Sequence, residues 1–159
     1  MRTEHHVREA LPKTVEEQES VYERAAKLLG LTAPVHSEID LVDRLEKGLS
    51  VHAVWSLRAR AQLTDEEIYG LIAPRRTLNR RETERQPLSA AEADRAVRIA
   101  RVVARAQQMF SGKQAYAQEW LRTPQHALGD RSPLQVLSRE SGARAVEEIL
   151  FGLEHGIFA

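Results

Sequence analysis

The sequence has no cysteine, so disulfides and thiolate metal sites are excluded and a reducing compartment is allowed. No apolar run approaches the roughly 20 residues that a membrane-spanning helix needs. The start, Met1 to Glu9, is too polar for a signal peptide. A soluble, cytoplasmic protein is expected. Period-two alternation is nowhere sustained, which argues against a sheet. Internal repeats and low-complexity tracts are missing. There is no glycine-rich phosphate loop and no Ser/His/Asp arrangement in a recognisable context. His5-His6 is a pair in an N-terminal arm, and His155, near Glu148 and Glu154, has no second ligand at metal spacing. No catalytic residue, metal or cofactor is nominated, and a non-enzyme is expected.

What is present is an ordinary globular balance, 42% apolar and 29% charged. The length, 159 residues, suits one domain or two small helical lobes sharing a core. A chain of this size buries roughly two thirds of its unfolded surface. The formal charge is zero, but it is unevenly spread. Residues 1–50 carry seven Lys/Arg against ten Asp/Glu, a balance of −3, and residues 51–86 carry seven against five, a balance of +2. Within the second stretch Arg75, Arg76, Arg80, Arg81 and Arg85 face only Glu82 and Glu84. A basic cluster on a neutral chain points to a polyanion. From charge alone, a solvated helix face neutralised by its own glutamates reads equally well.

Capping patterns and periodicity divide the chain into helices. Thr14 and Glu17 form a Thr-x-x-Glu box and Gly30 a C′ stop, with Val21, Ala25, Leu28 and Leu29 on one face between them. Ser37 caps a short helix with Leu41, Val42 and Leu45 inward, ending at Gly48. Val51 to Ala61 is a third helix. Thr64 with Glu67 caps a fourth through Leu71 or Ile72, and after a turn at Ala73-Pro74 a fifth runs from Arg75 to about Glu84. Gln86-Pro87-Leu88 interrupts the periodicity and marks a linker. Ser89 with Glu92 opens the longest helix, to Met109 or Phe110, with Ile99, Val102, Val103, Ala106 and Phe110 as its apolar stripe. Arg95, Arg98, Arg101 and Arg105 on its other face are expected to be solvated, in Asp94–Arg98 and Glu92–Arg95 pairs. A Ser111–Gln114 box starts a helix that stops before Thr123-Pro124, with Tyr116 and Trp120 packed across one turn. Ser132-Pro133, with Gln135 at N3, starts another. The final helix runs from about Gly142 to His155, with Val146, Ile149, Leu150 and Leu153 inward and Gly156 as its stop.

Thr64-Asp65-Glu66-Glu67-Ile68 through Leu78-Asn79-Arg80-Arg81 looks like a helix-turn-helix of the phage-repressor type. That motif needs a capped first helix, a tight turn and a second helix whose early residues meet base edges and phosphates. The candidate DNA contacts are Arg75, Arg76, Thr77, Asn79, Arg80 and Arg81. Arginine takes guanine bidentately and asparagine takes adenine, each worth about 1–3 kcal/mol of discrimination. Leu78 faces inward in this reading. The turn Ile72-Ala73-Pro74 lacks the glycine common there and is one residue shorter than in typical repressors. Glu82 and Glu84 would repel phosphates if they shared the DNA-facing side. A homodimer is expected, because one helix-turn-helix rarely supplies enough contacts and operators mirror two-fold symmetry.

Three elements follow in order. They are Trp120-Leu121-x-x-Pro124, then Leu128-Gly129-x-x-x-Pro133-Leu134-x-x-Leu137, then Gly142-Ala143-Arg144-x-Val146-Glu147. The sequence ends His155-Gly156-Ile157-Phe158-Ala159, an apolar tripeptide directly after a helix stop. From Ser89 to Ala159 this resembles the toxin-binding domain of Xre/MbcA/ParS-type antitoxins, and the upstream helix-turn-helix fits the same family. The family often has a second glycine where Asp130 stands. The resemblance implies an antitoxin of a type II toxin–antitoxin system that binds its toxin directly and represses its own operon on operator DNA. It implies a RES-domain toxin that consumes NAD or uses it for ADP-ribosylation. It also implies that the antitoxin's end occludes the toxin's active site, which places His155, Gly156, Ile157, Phe158 and Ala159 at the contact, with a terminal carboxylate near a phosphate-holding cation. From the residues alone, Ile157 and Phe158 folding back on their own helix is the favoured reading.

The predicted architecture is all-α: a flexible arm over 1–14, a helical domain with the helix-turn-helix over 15–86, and a helical toxin-binding domain over 87–159. The alternatives are a stand-alone transcriptional regulator whose C-terminal lobe only dimerises, and a partner-binding module with a vestigial helix-turn-helix.

Overall fold

The computed structural model describes residues 19–157. The Thr14–Glu17 box, the His5-His6 pair, the 1–14 arm, Phe158 and Ala159 lie outside them. Among the described residues the chain forms nine α-helices and one 3-10 turn, with no strand beyond an isolated antiparallel bridge between Gln125 and Arg131. The helices are α1 (Val21–Leu28), α2 (Glu38–Glu46), α3 (Val51–Arg60), α4 (Asp65–Leu71), α5 (Arg75–Thr83), α6 (Ala90–Met109), α7 (Gln114–Arg122), α8 (Pro133–Val136) and α9 (Glu140–His155). The 3-10 turn is His126–Leu128. No helix among the described residues is long and apolar enough to cross a membrane.

Local chemistry sets most of these boundaries. Reciprocal capping boxes start five helices: Ser20 with Glu23, Ser37 with Asp40, Thr64 with Glu67, Ser89 with Glu92, and Ser132 with Gln135. Each satisfies two backbone donors that the first turn leaves free, typically worth about 1 kcal/mol. The box at Ser20 opens α1. Two boundaries differ from the sequence reading. Ser111 does not cap α7: it stands at φ 54°, and Lys113 precedes the helix without a side-chain cap. The final helix begins at Glu140, two residues before Gly142.

The core is built around α6. Twelve of its twenty residues are buried, and five of those are alanines, so neighbouring helices approach closely. α1, α2, α3, α7 and α9 all pack against it. The expected stripe is found, with Ile99, Val102, Val103 and Ala106 fully enclosed and Phe110 half-buried. Gln86-Pro87-Leu88 does break the helix, but Leu88 is buried and its amide donates to the Leu49 carbonyl at 2.8 Å. Val42, read as inward, is exposed, as is Ile39, while Leu41 carries the buried face of α2. Tyr116 points outward beneath the Lys113 ammonium, so Trp120 packs on Phe110 instead, at 6.4 Å between ring centroids.

The arginine stripe of α6 is the main correction. It is not a solvated face. Arg98 is buried and binds Asp94, Glu140 and the Ser138 carbonyl. Arg101 pairs with Glu147 at 2.7 Å and lies within 4 Å of Glu140 and Glu38. Burial works against its charge, yet the three carboxylates outweigh that and raise its pKa. Arg95 donates to the Ile72 carbonyl at 2.8 Å rather than pairing with Glu92. The stripe faces other helices because α9 and the α4–α5 turn cover it. One helix's periodicity does not reveal what lies across from it.

Candidate functional site

The helix-turn-helix is α4, the three-residue turn Ile72-Ala73-Pro74, and α5. Ile68, Leu71, Ile72, Ala73 and Leu78 are all buried beneath it, so both helices are seated by apolar contact. Pro74 occupies the N-cap of α5 and no side chain caps that end. The amides of Thr77 and Leu78 are taken by the Pro74 carbonyl. At 100° per residue, Arg75, Arg76, Asn79, Arg80 and Thr83 share one solvent-facing side opposite Leu78. Each of these five is exposed. Glu82 and Glu84 flank that side at its two edges rather than sitting at its centre. Thr77 is half-buried at its margin.

Arg81 is placed differently from the other candidates. It turns toward α6, pairs with Glu92 at 2.7 Å and donates to the Pro87 carbonyl at 3.2 Å. Burial pushes the Glu92 carboxyl up, but the Ser89 amide and the Arg81 guanidinium outweigh it, so its pKa is lowered and the pair is ionised at neutral pH. Arg95 ties the turn through the Ile72 carbonyl. One arginine contact thus fastens the basic helix, and another its preceding turn, to α6.

At the other end, α9 presents Arg144, Glu148, Phe151 and His155 on one exposed stripe, at spacings of four, three and four residues. Phe151 is 49% exposed and its ring stacks on His155, with centroids 4.0 Å apart. The His155 Nδ1 lies 2.8 Å from the Phe151 carbonyl. Gly156, at φ 64°, ends the helix, and the Ile157 amide returns to the Gly152 carbonyl at 2.9 Å. Ile157 is 62% exposed, so it does not fold back onto its helix. The sequence reading overlooked Phe151. The clue lay in its angle, about 140° from the Val146 position on the inward face. His155 stacks on it, and Ile157 is a second exposed apolar side chain at the same helix end.

The loop before α8 explains two motif positions. Gly129 and Asp130 are consecutive left-handed residues, at φ 65° and 60°. Asp130 therefore holds a conformation that glycine takes without cost, and aspartate tolerates it better than most residues. Gly142 sits where α9 crosses α8, and a Cβ there would lie 1.9 Å from the Val136 carbonyl oxygen. No group of three or more metal-ligating side chains occurs among the described residues.

Comparison with known proteins finds two family matches, which meet within α6. Residues 40–101 match the antitoxin Xre-like helix-turn-helix domain. Residues 105–156 match the antitoxin Xre/MbcA/ParS C-terminal toxin-binding domain. An antitoxin Xre of Yersinia enterocolitica is 36% identical over 120 residues, 75% of this chain and 81% of the relative. An antitoxin Xre of Pseudomonas putida is 32% identical over 120 residues, covering 76% and 74%. A Prs ADP-ribosylating antitoxin of Sphingobium is 25% identical over 132 residues, covering 77% and 83%. With a helix-turn-helix tied to α6 by Arg81 and Arg95 and a toxin-binding region ending in an exposed apolar helix terminus, this chain belongs to the Xre family of antitoxins.

Proposed function

We propose that the chain is the antitoxin of a type II toxin–antitoxin pair that holds a RES-type, NAD-consuming or ADP-ribosylating toxin inactive by direct contact and represses its own operon. The observation that carries the first half is the end of α9, where Phe151, His155 and Ile157 expose an apolar surface within the matched toxin-binding region. Exposed large side chains grouped on one terminus mark an interaction site, and buried aromatic anchors supply much of an interface's energy. Phe158 and Ala159, next in the sequence, are assigned to the same toxin contact, in its NAD pocket. The Sphingobium relative, named for ADP-ribosylation, supports this toxin chemistry. The protein acts without catalysis, metal or cofactor of its own, in the cytoplasm.

The second half rests on the exposed side of α5. Arg75, Arg76, Asn79 and Arg80 enter the major groove, and Thr77 sits at the phosphate margin. Arg81 sets the helix in place. A homodimer would place two such helices on a two-fold operator. In this reading residues 15–86 carry the operator contacts and 87–159 the toxin contacts, with α6 shared. The test is growth and intracellular NAD after inducing the adjacent gene, alone and with this chain. NAD loss that this chain prevents supports the proposal. A neighbour that neither halts growth nor lowers NAD removes the antitoxin role and leaves a stand-alone regulator.

A further inference from the structure

One row of side chains on α7 reaches the junction between α3 and α4. Gln114, Gln118 and Arg122 recur every four residues, and all three donate across to the end of α3. The Gln114 amide reaches the Arg60 carbonyl at 2.9 Å, the Gln118 amide reaches the Ala61 carbonyl, and Arg122 reaches the Gln62 carbonyl at 3.1 Å. These are carbonyls that a helix end leaves without intrahelical donors. They lead into a tight turn where Gln62 is left-handed, at φ 53°. Arg122 also grips Glu67 with two bonds of 2.9 Å each, fork to carboxylate. Glu67 is the residue whose other task is the capping box of α4, accepting the Thr64 amide at 2.8 Å. Gln118 in turn accepts from Arg122, so the row is linked along its length.

The angle at which α4 leaves α3 is thus fixed from outside the helix-turn-helix, by a helix of the toxin-binding region. In this motif the first helix crosses the DNA backbone while the second enters the groove, so that angle sets how both meet the duplex. We infer that α7 is the joint through which the toxin-binding half sets the pose of the helix-turn-helix, with Arg122 as its positioning residue. The inference rests on the DNA-binding reading above. Because coupling between two sites is reciprocal, a partner that strengthens the seat of α7 tightens DNA binding, and operator DNA steadies α7.

The test uses the full chain as wild type, Arg122→Gln, Glu67→Gln and the double variant. Glu67→Gln keeps an oxygen for the capping box and loses only the charge. Two quantities are read: amide hydrogen exchange over residues 63–68, and affinity for a duplex of the chain's own promoter across a salt series. Each single variant is expected to speed exchange and weaken the duplex roughly tenfold, the scale of one charge-assisted pair, with the double variant no worse than either. The salt slope is expected to stay at its wild-type value, because Arg122 neutralises no phosphate. Faster exchange with unchanged affinity, or unchanged exchange, overturns the joint. A slope lowered by about one makes Arg122 a phosphate contact and also overturns it. A wild-type chain that does not bind the duplex removes the DNA reading itself, and the joint with it.

Discussion

The exposed side of α5 and the exposed end of α9 both offer side chains to solvent, but they are held in opposite ways. α5 is short, yet Leu78 is buried beneath it, Arg81 braces it to Glu92, and Arg95 holds the turn before it. α9 is long, but past Leu150 it leaves Phe151, His155 and Ile157 exposed and ends in a left-handed glycine. Charges that must meet phosphates and base edges gain from rigid placement before the partner arrives. An apolar terminus gains most when a partner removes it from water, and it loses rotamer freedom only then. In the proposed function, one surface suits a regular polymer and the other a concave partner.

Four changes separate the two surfaces, beginning with the largest effect. Gly142→Ala forces a methyl onto the Val136 carbonyl across the α8–α9 crossing. It should destabilise the C-terminal lobe by about 3 kcal/mol, read in denaturant melts, with toxin binding lost before DNA binding. Phe151→Ser with Ile157→Ser removes the apolar end and should weaken toxin binding by at least about 2 kcal/mol, near thirtyfold, with the melting temperature unchanged. Arg75→Ala should weaken operator binding by about 1–2 kcal/mol in a binding titration and leave toxin neutralisation intact. The smallest effect is at Asp130, where Asp130→Gly relieves a left-handed residue and should alter stability by less than about 1 kcal/mol.

Acid adds a further distinction. Glu92 has its pKa lowered below the ordinary 4.5, so its stabilising contribution is complete above that value. It is lost as the pH falls through the lowered folded value. The α5 brace should therefore loosen only in that acid range, and Glu92→Gln should remove that part of the pH dependence in acid unfolding curves.

Legibility in the sequence followed the range of the forces involved. Capping boxes at Ser37, Thr64, Ser89 and Ser132 are written in four consecutive residues, so the helix starts there were readable. The stripe through Ile99, Val102 and Ala106 is periodic within one helix and was equally plain. The Asp94–Arg98 pair, one turn apart, was readable and is present, but the other partners of Arg95, Arg98 and Arg101 were not, because Ile72, Glu140 and Glu147 lie tens of residues away. Arg81 looked like its neighbours until Glu92 stood beside it. Phe151 was missed because a helical wheel shows that a residue faces out without showing that His155 stacks on it. The Ser111 box failed because a Ser-x-x-Gln spacing needs an extended serine backbone, and Ser111 is left-handed.

The most direct test of two separately held surfaces compares Phe151→Ser/Ile157→Ser with Arg75→Ala/Arg80→Ala in one strain. NAD is read after inducing the adjacent toxin gene, and an operator reporter is read without the toxin. The first variant should let NAD fall while the reporter stays repressed, and the second should protect NAD while the reporter is released. If the first variant still protects NAD, the end of α9 is not the toxin contact, and the central claim is wrong.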